Sequence, residues 1–545
     1  MSGLTAPGAP FEIYEGAALG RPMRLFRHAP SNLQTLFTHT RRHADLPFLV
    51  EGDQALSYAD AYHRIDALAA WLQAEYPDLR GQHVAIAMQN RIEWIVAFVA
   101  VVLVGAIPVL VNSRLSGAEM RSAADAVGVR LAFLDGRRIA ALRDAGWDVP
   151  LIDLVDEWPA AAFAGKQPVV DLGAQSDDDA AILFTSGTTG DVKGVCLTHR
   201  ALITGIMSVQ LSGAMILHNM AKQYGLPPEQ LLAAMPQPCN LLVQPLFHVS
   251  GLSLFLGGMA SGGKLVVMQR WDPASALELI AREKITAFSG VPTMLWDVLN
   301  RAEIAGADIS SVTSVSTGGQ ALPLNLISSI LAACPKALLG SGYGLTETSG
   351  AVAMAVGEDF VGRPGSAGRL LELAEMRVVD GDGNTLPEGS VGEIVVRGPM
   401  VMRDYWSGGG VDADGWFATG DIGRVDEEGF VYIIDRKKDM IICGGENIYC
   451  AEIERVIGLI PEVLEVATFG VPDERLGERL VAQIVLPEGV VLPGVQIVEH
   501  VSAQLGAYKA PTEVRFQIEP LPRTGSGKIN KLILRAQWPQ AEGVE

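Results

Sequence analysis

Residues 185–194 read Thr-Ser-Gly-Thr-Thr-Gly-Asp-Val-Lys-Gly. Apolar runs at 180–184 and 195–197 flank this stretch and read as strands, which makes the polar run a loop held between strands. Glycines let backbone N–H groups turn toward one point and let an anion come close. The hydroxyls of Thr185, Ser186, Thr188 and Thr189 add donors, and Lys193 adds a positive charge. That chemistry suits a polyphosphate. The order Gly-x4-Gly-Lys-Ser/Thr of the common P-loop is absent. Alone, the run is equally readable as a Ser/Thr/Gly surface turn.

The surrounding chain bounds what such a loop serves. Its 545 residues are too many for one ordinary core, so two or more domains are expected. Hydrophobic residues make up 49% and charged ones 19%, a composition with ample core material. The formal charge is −20, which argues against nucleic acid and against an anionic membrane surface. An acidic protein that handles phosphates has to gather its cations locally, with Mg²⁺ as the expected counter-charge. Cys196, Cys239, Cys334, Cys443 and Cys450 form no CxxC pair or zinc pattern and fit a reducing cytoplasm. No secretory signal, myristoylation site or peroxisomal address is expected. The uncharged stretch 95–111 imitates a membrane span, but Gly105 and Pro108 interrupt it. It reads as a buried helix over 91–104 feeding a core strand, so no transmembrane segment is expected.

Helices alternate with short apolar strands through the first 430 residues. Helices are expected at 58–73 (capped by Ser57), 273–283 and 292–302, and buried strands at 84–88, 131–134, 264–268, 287–290 and 312–317. This order gives an α/β fold with mostly parallel sheets. Residues 372–398 turn alternating and turn-rich, as in a small antiparallel β unit. After 436 the mix of helix and strand predicts a small α+β domain, joined by the short charged link Asp435-Arg-Lys-Lys-Asp. The expected division is therefore 1–435 and 436–545. Residues 211–242, with four prolines, read as a partly helical surface insertion.

Further glycine-polar segments punctuate the apolar runs: Pro-Leu-Phe-His-Val-Ser-Gly at 245–251, Ser-Thr-Gly-Gly-Gln at 316–320 and Ser-Gly-Tyr-Gly-Leu-Thr-Glu at 341–347. Thr-Gly-Asp at 419–421, residues 435–445 and Pro-Arg-Thr-Gly-Ser-Gly-Lys at 522–528 complete the set. In this order, from about residue 35 to Lys531, they resemble the adenylate-forming superfamily of acyl-CoA synthetases, peptide-synthetase adenylation domains and luciferases. The resemblance implies a large N-terminal domain with a small β-barrel-like unit, and a small mobile α+β C-terminal domain. It implies that Thr185, Ser186, Gly187, Thr188, Thr189, Gly190 and Lys193 close over the β- and γ-phosphates of ATP. Tyr343, beside Gly342 and Gly344, would stack on adenine, with Gly318, Gly319 and Gln320 as the opposite wall. Thr346 would contact the α-phosphate and Glu347 would hold Mg²⁺. Asp421 would accept from the ribose hydroxyls, Arg436 would add a second ribose contact, and Lys528 would bridge the acid carboxylate and the α-phosphate.

Carboxylate attack on phosphorus brings two anions together, so catalysis rests on placing and neutralising charge. By resemblance the product is an acyl-AMP mixed anhydride plus pyrophosphate, and the small domain then rotates near 435–437. That step withdraws Lys528 and presents Lys438, Gly444, Gly445 and Glu446 to the thiol of CoA. Phe247, His248, Gly251, Gly344, Gly350 and Ala351 would line the acyl pocket, with His248 also a catalytic candidate. His248 stands where amino-acid-activating relatives place Asp, which argues against an α-amino acid. Gly344 replaces a Trp of acetyl-specific relatives and implies a deeper pocket. The chain ends soon after Lys528, so no carrier domain is expected. Ser341 replaces a frequent Gln or Asn beside adenine. The expected activity is an AMP-forming ligase joining a medium-chain, long-chain, aryl or polycyclic carboxylic acid to CoA. A fatty acyl-AMP ligase loading a carrier-protein thiol is the alternative, and a non-catalytic nucleotide-binding relative a third. The oligomeric state is left open, a homodimer included.

Overall fold

The computed structural model describes residues 3–168, 170, 173–186, 192–299, 306–318, 324–363, 365–443, 446–523 and 529–538. The chain divides into two compact units. The first comprises Met1–Ala321, Ser328–Met376 and Val396–Ala418, and the second Leu322–Ile327, Arg377–Val395 and Thr419–Glu545.

Two sheets organise the first unit. One runs in the order Asp404–Tyr405, Val192–Thr198, Asp179–Ser186, Ile107–Leu110, His83–Ala87, Val129–Leu134, Leu151–Asp153. From Asp179–Ser186 onward the neighbours are parallel, while the pairs on the other side are antiparallel. The other sheet holds Ala287–Gly290, Ser314–Gly318 and Leu338–Leu345 side by side and parallel, followed by antiparallel Gly350–Val356. Parallel strands need helical crossovers, and helices cover these faces, so the sheets are buried and rich in Val, Ile and Leu. The fold is the α/β class expected.

Local signals fix the helix ends. The Ser57 hydroxyl and the Asp60 carboxylate form a capping box for Tyr58–Glu75, and Asp272 caps Pro273–Glu283 with proline in the first turn. Every residue of Ile92–Leu103 except Glu93 is buried, with Trp94 stacked on Phe98 at 5.5 Å. Each such large apolar side chain contributes roughly 1.5–3 kcal/mol. The apolar stretch over 95–111 is thus a core helix and strand, as its glycine and proline indicate.

The surface-insertion reading of 211–242 needs correction. Its first part continues a 26-residue helix, His199–Tyr224, capped by Thr198 and ended by left-handed Gly225. Its last part, Cys239–Leu242, is a buried strand inside the second sheet. Only the short helix Pro228–Ala234 between them has no buried residue. The prolines punctuate a connection between core elements. His199–Tyr224 is also long and apolar enough to cross a membrane by length and composition, with half of its apolar window buried.

Most residues of the neighbouring strands Glu375–Val379, Gly392–Arg397, Phe417–Val425 and Phe430–Arg436, which begin in the turn-rich segment, belong to the second unit. Beyond them, Glu465–Asp473 and Gly477–Val485 pair antiparallel over nine residues, and Glu513–Gln517 adds a parallel strand. Cys450–Ile457 and Gly494–Leu505 supply Ile453, Val456, Ile497 and Val501 to one core. Phe469 meets Trp538 edge-on at 5.3 Å in another.

Candidate active site

Several expected site residues stand at the carboxyl ends of parallel strands, where open α/β sheets bind ligands. Gly318 ends Ser314–Gly318 and pairs with Gly342 of Leu338–Leu345. Tyr343 follows, and the pairing with Gly350–Val356 slips by a residue between Tyr343 and Gly344. The segment at 341–345 is therefore strand rather than free loop. Thr346–Thr348 form one tight helical turn, and Ser349 takes a left-handed φ of +54°. The Thr348 side chain accepts from Leu345 N–H at 2.9 Å and lies 2.8 Å from Gly350 O, locking the reversal.

Close approach explains two glycines. A Cβ on Gly344 would lie 1.9 Å from Gly350 O, and one on Gly251 would lie 2.2 Å from Pro245 O. Gly344 is thus demanded by the pairing of two strands, whatever occupies a pocket. Phe247 is buried and its ring lies 4.6 Å from that of His248, just ahead of helix Val249–Ala260. Ala351 follows on the strand Gly350–Val356.

On the neighbouring sheet, Thr185 and Ser186 end Asp179–Ser186, and Thr185 pairs with Lys193. The strands reach further toward the loop than the apolar pattern indicates, because the ladder needs no apolar side chains. Gly187, Thr188, Thr189 and Gly190 lie outside the described residues, as do Gly319, Gln320, Gly444, Gly445 and Lys528.

One residue that sequence reasoning missed joins these parts. Tyr405 donates its hydroxyl to Glu347 Oε1 at 2.9 Å, and the Lys193 ammonium lies 4.9 Å from the Tyr405 ring centre. Glu347 is buried, and its carbonyl accepts from Met402 N–H at 2.7 Å. The lysine of the glycine-rich run and the expected metal carboxylate therefore meet across a single aromatic ring. Among the described residues no cluster of three His, Cys, Asp or Glu could hold a metal. A single carboxylate fits Mg²⁺ held mainly by substrate phosphates and water, the usual arrangement for that ion.

In the second unit, Asp421 and Arg436 face each other across an antiparallel pair. Arg436 Nε lies 2.7 Å from Asp421 Oδ1, and Asp421 is only 2% exposed. Lys437 bonds Glu393 at 2.7 Å, Lys438 follows in the turn, and Glu446 opens the strand Glu446–Ile448 opposite Cys443. Asp435 is a second residue whose packing the sequence did not show, having presented it as linker charge at the expected point of rotation. Its carboxylate accepts from Arg436 N–H at 2.7 Å and from Ala451 N–H at 3.2 Å, in the first turn of Cys450–Ile457. Burial pushes its pKa up to about 6, against the pull of Lys531, which itself pairs with Glu454 at 2.8 Å.

A group whose pKa rises on folding adds stability that is complete below its unfolded value and fades as pH climbs through the folded one. The window here runs from about 4 to about 6. Asp435→Asn, always neutral, is therefore expected to be more stable than the parent by about 2–3 kcal/mol at pH 8 and level with it near pH 4. Urea unfolding at both pH values checks this; a gap that does not change with pH would contradict it.

A cavity of about 560 Å³ in the first unit is lined by Asn90, Arg114, Arg138, Phe247, Arg270 and Trp271, among others. It meets the expected acyl pocket at Phe247 alone. Burial holds the Arg114 guanidinium below its ordinary pKa.

With this geometry in place, comparison with known proteins decides the family. Residues 36–406 match the model for AMP-binding enzymes, and residues 452–528 match the AMP-binding enzyme C-terminal domain. The chain belongs to the AMP-binding enzyme family. Within it the chain is similar to the long-chain-fatty-acid–CoA ligase FadD13 of Mycobacterium tuberculosis, at 34% identity over 84% of this chain and 88% of that one. It is 31% identical to the 3-[(3aS,4S,7aS)-7a-methyl-1,5-dioxo-octahydro-1H-inden-4-yl]propanoyl:CoA ligase of Rhodococcus jostii, over 91% and 96% of the two chains. The solved structure of O-succinylbenzoate coenzyme A synthetase from Bacillus subtilis, in complex with ATP and magnesium ion, matches with a TM-score of 0.77 at 29% identity. That match covers 92% of this chain and 98% of the other. This AMP-binding enzyme is thus a member of the acyl-CoA ligase group.

Proposed function

We propose that the protein is an AMP-forming carboxylic acid–CoA ligase acting on a medium-chain, long-chain, aryl or polycyclic acid. The Glu347–Tyr405–Lys193 arrangement carries this reading, because it sets a carboxylate for a cation beside the ammonium of a phosphate-loop lysine. Mg²⁺, when bound, would neutralise phosphate charge. Thr185, Ser186 and Lys193 would receive the β- and γ-phosphates, Thr346 the α-phosphate, and Tyr343 the adenine. Asp421 suits the ribose, since a carboxylate offers two acceptor oxygens to two hydroxyls. Lys528 would steady the attacking carboxylate against phosphorus. None of these groups forms a covalent bond to substrate; they place charge.

CoA is the favoured acceptor. Arg114, Arg137 and Arg270 line one cavity in a chain of net charge −20, beside Arg138, which Asp135 already pairs at 3.1 Å; the three cations suit the phosphates of CoA. The named relatives quoted above are CoA ligases, which favours CoA over a carrier-protein thiol. All five cysteines are free, in keeping with a cytoplasmic enzyme. The two functional domains we propose are 1–435 for adenylation and 436–545 for the lysine and thiol-acceptor segments.

The test is a panel of fatty, aryl-propionic, cinnamic and steroid side-chain acids, assayed for AMP release with ATP and CoA. The reading predicts turnover with at least one class and none with α-amino acids. Activity confined to acetate or amino acids would overturn it.

A further inference from the structure

We infer that Tyr405 is a positioning residue for adenylation, orienting the Glu347 carboxylate toward its cation and fixing the Lys193 ammonium beside it. The inference rests on the reading of Glu347 as the metal carboxylate and goes beyond it, since Tyr405 belongs to none of the glycine-polar segments.

Tyr405 is held by backbone on both sides. Asp404–Tyr405 pairs antiparallel with Val195 and Cys196, on the strand that begins at Val192 and carries Lys193. Trp406 N–H donates to Gly194 O at 2.7 Å and Arg403 N–H to Cys196 O at 3.0 Å. The Arg403 guanidinium grips Asp179 through two bonds of 2.8 Å, anchoring this short strand to Asp179–Ser186. Met402 N–H meanwhile holds Glu347 O at 2.7 Å. Five consecutive residues thus fasten the phosphate-loop strands to the turn that bears Glu347. This backbone pairing places the Tyr405 ring between Lys193 and Glu347.

The chemistry follows from that placement. The phenol hydroxyl donates to Oε1, which leaves a carboxylate its second oxygen for a cation. An unperturbed phenol keeps its proton at neutral pH, so the hydroxyl serves as the donor of this bond. A donor behind a metal-binding carboxylate sets its orientation, and removing such a partner commonly costs 10–100-fold in metal affinity. The ring face adds a separate contact, a cation–π attraction for Lys193.

Two variants separate hydroxyl from ring. Tyr405→Phe keeps the ring, the strand pairing and the Lys193 contact, and removes only the donor. Its expected effect is about a tenfold weaker binding of Mn²⁺ to the enzyme–ATP complex, read by water-proton relaxation. The Mg²⁺ concentration for half-maximal pyrophosphate exchange should rise by the same factor. ATP affinity in EDTA, by calorimetry, and the thermal midpoint should not move. Tyr405→Leu removes the ring as well and should also weaken metal-free ATP binding, by about 2–5-fold. Glu347→Gln separates the inference from the reading beneath it. If Glu347→Gln weakens Mn²⁺ binding and Tyr405→Phe does not, the positioning role is overturned while the metal reading stands. If neither variant weakens it, Glu347 is not the metal carboxylate and both fail. If metal affinity and thermal midpoint fall together in Tyr405→Phe while metal-free ATP affinity falls equally, the residue is structural and the inference is overturned.

Discussion

Lys528→Ala is expected to lower acid-dependent ATP–pyrophosphate exchange by about 10²–10³-fold, the usual scale for losing one preorganised electrostatic group at a developing charge. Thioester formation from supplied acyl-AMP should stay within a few-fold of the parent enzyme. The asymmetry comes from the chemistry of the two steps. Adenylation drives a carboxylate against a phosphate, and one ammonium placed between them offsets their repulsion at the moment of attack. Thiolysis starts from a mixed anhydride whose carbonyl is already activated, and its nucleophile is a thiol. In the proposed division of labour, Lys528 of the Gly-Ser-Gly-Lys run would serve the first step and be dispensable for the second. Equal loss of both half-reactions would contradict the division of labour proposed for residues 436–545.

The second large effect is expected at Asp421. Asp421→Ala should raise KM for ATP by about 10–100-fold with a smaller change in kcat. Loss of the proposed ribose contacts would remove two hydrogen bonds to a charged acceptor, each worth roughly 1.5–3 kcal/mol before compensation, and uniform binding of this kind appears in KM. Asp421 is buried and Arg436 lies against it at 2.7 Å, so the substitution also releases that guanidinium from its aim. Arg436 is 39% exposed and water can take up its donors, so the thermal midpoint should fall only modestly. Asp421→Asn, which keeps one acceptor oxygen but loses the negative charge that faces Arg436, should fall between the parent and Asp421→Ala. An unchanged KM for ATP in both variants would remove Asp421 from the nucleotide site.

Much of this architecture is written locally. Ser57, Thr198, Asp272 and Asn530 are capping residues immediately ahead of periodic runs, and each caps the helix it precedes. Pro273–Glu283 and Ala287–Gly290 fall where periodicity and turn residues place them. The Ser-Gly-Tyr-Gly run at 341–344 is the instructive exception. Its residues have little strand propensity, yet the segment is paired on both sides, because neighbouring strands supply the ladder that its side chains do not. The 211–242 segment failed for the same reason in reverse: its prolines are local signals, whereas the burial of Cys239–Leu242 depends on the strands Lys264–Val267 and Ala287–Gly290, further along the chain.

The site divides along the same line. Residues inside short signatures can be singled out from sequence as candidates, since a Gly/Ser/Thr run or a Thr-Glu turn suggests its chemistry in a few positions. The contacts of Tyr405 and Asp435 cannot be read that way. Tyr405 sits in a two-residue strand with no periodicity, and its meaning arises only where Lys193 and Glu347 converge on it. Asp435 looks like one charge in a charged link until the helix Cys450–Ile457 presents Ala451 N–H to it. Contacts of long sequence separation leave no local pattern to read. Gly344 shows the converse error of assigning one cause: the glycine is required by Gly350 O, so its presence does not by itself measure a pocket.

The central claim is that one chain couples acid activation by ATP to thioester formation on CoA. The most direct measurement is a product balance with an accepted acid, ATP, Mg²⁺ and CoA, followed by chromatography and mass spectrometry. The account predicts AMP, pyrophosphate and acyl-CoA in equal amounts, with acyl-AMP accumulating only when CoA is withheld. Acyl-AMP that persists in the presence of CoA, or ADP and phosphate in place of AMP and pyrophosphate, would contradict it.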